Sequence, residues 1–61
     1  MNYADQLYFV VKEQFDGLDS IYEDNLIHLI GTHGIYILQE NKMLETCGVI
    51  NDRQLYVLYD K

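Results

Sequence analysis

Along the first eighteen residues apolar side chains recur three or four positions apart, at Tyr3, Leu7, Val10, Val11, Phe15 and Leu18. That is the spacing of one face of a helix. Asn2 stands where its side chain can cap the first turn, with Asp5 three positions on, and Gly17 fits the left-handed conformation that commonly follows a helix. The pattern predicts a helix over residues 3 to 16, although the run Leu7 to Val11 is also β-prone.

From Leu18 to Asp24 the period is lost and acidic residues dominate, so this stretch reads as a connector with at most one helical turn around Ile21 and Tyr22. Beyond it lie four apolar runs of strand length: Leu26 to Ile30, Ile35 to Gln39, Met43 to Ile50 and Leu55 to Tyr59. Gly31, Thr32, His33 and Gly34 separate the first pair, Asn41 and Lys42 the second, and Asn51, Asp52 and Arg53 the third. All three gaps have turn composition and hairpin length. The expected fold is α+β: one N-terminal helix packed on a four-stranded antiparallel meander sheet (α-β-β-β-β), as a single domain over residues 1–61.

Side chains alternate across a sheet, and a two-residue turn at Asn41 and Lys42 groups Ile35, Ile37, Leu44, Thr46, Gly48 and Ile50 with Leu55, Val57 and Tyr59. A helix presenting Leu7, Val11 and Phe15 can cover that face. The other face then carries Tyr36, Leu38, Met43, Glu45, Cys47, Val49, Tyr56 and Leu58, too apolar to be left in water. It is expected to be a partner or dimer interface anchored by Tyr36, Leu38, Val49, Tyr56 and Leu58.

Composition sharpens this picture. With 49% hydrophobic residues, six tyrosines and two phenylalanines the chain has the makings of a core. Sixty-one residues support only one core, and such a core supplies roughly 3 to 5 kcal/mol. The single cysteine, Cys47, closes no internal disulfide, so a second copy is the expected support and a homodimer the expected state. No basic run followed by an apolar leader segment opens the chain, and no apolar run approaches the roughly 20 residues of a membrane span, so a cytoplasmic location is expected.

Ten acidic residues against four basic ones give a net charge of −6. This opposes direct contact with nucleic acid or anionic lipid and favours a basic protein partner. Asp16, Asp19, Glu23 and Asp24 form an acidic surface expected to steer such a partner. Their spacing lacks the alternating oxygen ligands and central glycine of a calcium loop, so no metal is expected there, and the sequence fixes too few positions to decide whether they mimic the phosphate spacing of DNA.

Catalytic equipment is not evident. His28 and His33 fall on a strand and in a turn, too far apart in kind to share a metal, and Cys47 falls mid-strand among apolar residues. There is no glycine-rich phosphate loop and no nucleophile elbow, and the one arginine, Arg53, lies in a turn. Gly34, Ile35 and Tyr36 spell the first half of the signature of GIY-YIG nucleases. The Tyr-Ile-Gly half is absent, as are the downstream arginine and glutamate of that family, so the three residues imply no nuclease. The expectation is a non-enzymatic, cofactor-free, small acidic interaction module acting as a regulator or inhibitor by binding another protein. Compact phage-encoded inhibitors of host proteins work in this manner. The alternative is a small-molecule or nucleotide sensor with a pocket between subunits, lined by tyrosines and His28 or His33.

Overall fold

The computed structural model describes residues Asn2 to Tyr59. In chain order the elements are α1 (Tyr3–Gln14), β1 (Ile21–Tyr22), α2 (Glu23–Glu40), β2 (Leu44–Ile50) and β3 (Arg53–Leu58). The strands form one antiparallel sheet in the order β1-β3-β2. Two helices and three strands thus replace the expected single helix on a four-stranded meander.

α1 forms as its spacing predicts. The Asp5 backbone N–H donates to Asn2 Oδ1 at 2.8 Å, and Asp5 in the first turn and Lys12 in the last complement the helix dipole. Ala4, Leu7, Tyr8 and Val11 are its buried face. Gly17 follows with φ +84°, a left-handed conformation that turns the chain towards β1.

The largest correction falls on residues 26–39, expected as two strands around a glycine turn and found inside α2. Leu26, Leu29 and Ile30 recur at helical spacing, as do Ile35 and Leu38, and Glu23 and Asp24 occupy the favourable first turn. The far end is closed by Asn41, whose Nδ2 donates to the Ile37 carbonyl at 2.8 Å. Gly31 does break the backbone, with φ 77° and ψ 167°, so that two helical halves, 23–30 and 32–40, meet at an angle. Gly34 does not turn. It is buried within the second half, where a Cβ would lie 2.9 Å from Ile30 Cβ.

β2 and β3 form a hairpin whose two-residue turn, Asn51 and Asp52, has φ of 52° and 63°, the twist that suits a tight antiparallel connection. The pairs are Leu44 with Leu58, Glu45 with Val57, Thr46 with Tyr56, Gly48 with Leu55, Val49 with Gln54 and Ile50 with Arg53. Cys47 is left over as a β-bulge, so the residues before and after it point to opposite faces relative to a regular strand. β1 adds Ile21 opposite Tyr56 and Tyr22 opposite Leu55. α2 packs on the sheet and α1 packs on α2. One core cluster joins Val11, Leu26, Ile35 and Leu38 to Ile21, Leu44 and Tyr56 of the sheet.

Candidate interaction surface

Residues paired directly across neighbouring strands share a face of the sheet. Ile21, Leu44 and Tyr56 belong to the core cluster, so their side faces the helices. The opposite, outer face is built by Arg53, Leu55, Val57 and Tyr59 along the third strand, Tyr22 on one flank, and Glu45 and Ile50 on the other. Among the described residues no helix or strand covers it. Ile50 and Tyr59 are 50% and 45% exposed, Val57 is half-buried, and Leu55 is shielded although it lies outside the core cluster.

Each end of this face carries an aromatic ring beside a carboxylate. At one end the Arg53 guanidinium lies 3.7 Å from the centre of the Tyr22 ring, and its Nε and Nη2 donate to Asp24 Oδ2 at 3.1 and 2.8 Å. These hydrogen bonds hold the Asp24 carboxyl below its ordinary range. At the other end the Tyr59 hydroxyl donates to Glu45 Oε2 at 3.3 Å, and the negative charge of Glu45 raises the phenol.

On the helix side, Tyr56 is buried and its hydroxyl donates to Glu23 Oε2 at 2.8 Å. Burial first, then the hydrogen bond and charge of Glu23, push the phenol up to about 12. Because the folded chain keeps this proton more tightly than the unfolded one, the resulting stability is fully present below pH ~10 and is lost as pH rises through about 12. Chemical denaturation across this alkaline range should show a loss of order 2 kcal/mol, and Tyr56→Phe should remove that component. An unchanged alkaline profile in the variant would show that Tyr56 is not the group responsible.

The residues singled out as an interface do not converge. Leu38 is 0% exposed, Tyr56 is buried and Leu58 packs against the core. Tyr36 and Val49 are 59% and 62% exposed but stand on different elements: Tyr36 is on α2, where the nearby Glu40 carboxylate raises its phenol, and Val49 is near the hairpin tip on the helix-facing side. Of the acidic set, Asp16 and Asp19 are exposed in the connector, whereas Glu23 holds Tyr56 and Asp24 holds Arg53. Cys47 is exposed at the bulge rather than enclosed among apolar neighbours. Sequence reasoning missed Tyr22 and Arg53 as a pair, since nothing local announces a strand of only two residues.

His28 and His33 lie in the two different halves of α2, both exposed. His28 edges an open cleft of about 450 Å³ with Gln14, Phe15, Asn25 and Leu29. Among the described residues no group of three His, Cys, Asp or Glu side chains is placed to hold a metal ion, and no helix is long and apolar enough to cross a membrane. No protein-family model, curated protein or solved structure matches the chain.

Proposed function

We propose that this chain is a small protein-interaction module whose binding surface is the outer face of its sheet, and that it acts as a regulator or inhibitor by occupying a surface of another protein. One observation carries the reading: Ile50, Val57 and Tyr59 form an apolar strip beside the shielded Leu55, without a covering element among the described residues, edged by the charged groups of Arg53, Asp24 and Glu45. An apolar centre with a polar rim is the anatomy of a protein interface. The net charge of −6 suits a basic partner.

Affinity capture with the wild-type chain and with Ile50→Lys as baits tests this, with Val10→Lys on the remote face of α1 as control. The expected outcome is a captured protein retained by the control and lost with Ile50→Lys. Equal capture by all three baits would sink the outer face as the binding surface.

A second reading is favoured by the layout. Two helical segments meeting at Gly31 share with the helix-turn-helix unit only the succession of two helices, the second of which in that unit enters the DNA major groove. The exposed positions of that second segment, however, are Thr32, His33, Tyr36, Gln39 and Glu40, which include no cation to neutralise phosphate. Fluorescence anisotropy with a labelled random-sequence duplex at low salt separates the readings: protein binding predicts no change, and salt-sensitive binding would reverse the preference.

A further inference from the structure

Two glycines, by different means, hold α2 bent. At Gly31 the backbone takes φ 77° and ψ 167°, the one departure from helical angles between Glu23 and Glu40. That combination lies in a region used by glycine almost alone. Space is not the constraint, since nothing lies within 4 Å of a Cβ built there. Gly34 admits the close approach of Ile30, whose Cβ lies 2.9 Å from where a methyl group would stand. In a straight helix, side chains four positions apart keep about 5 to 6 Å between their Cβ atoms, so this contact belongs to the bent form. The backbone on both sides of Gly31 is otherwise helical, and a straight α2 of 18 residues would be about 27 Å long.

The bend divides the chain into two parts. Residues 2–30 hold α1, β1 and the first half of α2; residues 32–59 hold the second half and the hairpin, which the Met43 N–H joins to the Leu38 carbonyl at 2.9 Å. The contacts that close the molecule run between the parts: Ile21 pairs with Tyr56 and Tyr22 with Leu55, the Tyr56 hydroxyl donates to Glu23, and Arg53 donates to Asp24. Straightening α2 rotates φ at Gly31 by about 140° and so separates these groups within one chain. None of the contacts needs its two members to be joined through Gly31. A second copy that has straightened in the same way therefore supplies every one of them.

We infer that α2 is a two-state element: bent at Gly31 in the single chain, and straight in a dimer whose two copies exchange residues 2–30. The exchange rebuilds each core from both copies, and each outer face then takes Tyr22 and Asp24 from one chain and Arg53 from the other. Glycine weakens a straight helix, so the wild-type chain favours the bent form, whereas an L-residue at position 31 is strained when bent and favours exchange. The inference stands on the helix and its contacts, whatever binds the outer face.

A chain of 61 residues is short enough for chemical synthesis, which allows the two mirror forms of one side chain to be compared. Gly31→D-Ala prefers positive φ, keeps the bend and should remain monomeric. Gly31→Ala should dimerise at least about a hundredfold more tightly than the wild type in sedimentation equilibrium, since each dimer relieves two strained hinges. In that dimer, isotope-filtered nuclear Overhauser contacts should join Ile21 to Tyr56 of differently labelled copies. A Gly31→Ala chain that is monomeric or unfolded at about 1 mM, a dimer whose Ile21 and Tyr56 contacts stay within one chain, or equal dimerisation of the two mirror forms would each overturn the exchange.

Discussion

Leu38→Ala is expected to leave much of the chain unfolded at room temperature. Leu38 has no exposed surface and sits in the second half of α2, within the cluster that joins both helices to the sheet. Truncating a leucine in such a place costs about 2 to 5 kcal/mol, from lost burial and from the cavity left behind. A core of this size supplies roughly 3 to 5 kcal/mol, so the loss is comparable with the whole stability. Urea denaturation followed by circular dichroism reads the effect directly. Tyr36→Ala, two positions away but on the exposed side of the same helix, should move the midpoint little, within about 0.5 kcal/mol. Equal midpoints for the two variants would mean that Leu38 is not in the core.

The second large effect is one of sign. Replacing a helix-interior glycine by alanine ordinarily stabilises by about 1 kcal/mol, because alanine loses less backbone entropy. Gly34→Ala should do the reverse. A methyl group there would meet Ile30 Cβ at 2.9 Å, Cγ1 at 3.1 Å and Cδ1 at 3.3 Å, and the nearest of these is fixed to the backbone rather than at the free end of a side chain. Overpacking of this kind costs about 1 to 3 kcal/mol. Combining it with Ile30→Ala should recover part of the loss, since the second change removes the atoms struck by the first. A Gly34→Ala chain more stable than wild type would refute the close approach of the two halves.

These two sites also show where the sequence is readable and where it is not. α1 is legible because a capping Asn2 and a regular apolar period agree with each other. α2 is concealed because its stripe is cut: Leu26, Leu29 and Ile30 lie before Gly31 and Ile35 and Leu38 after it, so neither half alone reaches the length that marks a helix. The β-branched residues and glycines then argue for strands and a turn. Gly31 and Gly34 look alike in sequence, yet one serves a left-handed φ and the other a close contact.

In the hairpin, alternation correctly groups Ile50 with Leu55, Val57 and Tyr59, and Val49 with Tyr56 and Leu58. It fails for Leu44, Glu45 and Thr46, because the bulge at Cys47 shifts them by one position, and Gly48 is the sole local hint of that irregularity. The expected interface followed from assigning the helix to the Leu55 side. The helices instead take the Tyr56 side, a choice settled by the distant partners Ile21 and Glu23 rather than by alternation within the strands.

The brevity of β1 has a consequence for the order in which the molecule comes together. The hairpin and the two halves of α2 close over short stretches of chain, but Ile21 must find Tyr56 across more than half of the sequence. Contacts that close long loops carry a larger entropic cost, so the first strand is expected to be the last part of the sheet to arrive. Tyr22 comes with it, and only then does Arg53 gain its ring and, through Asp24, its carboxylate. On that order the outer face is completed in the closing step of folding, and a molecule bound there would select the fully closed chain over partly open forms.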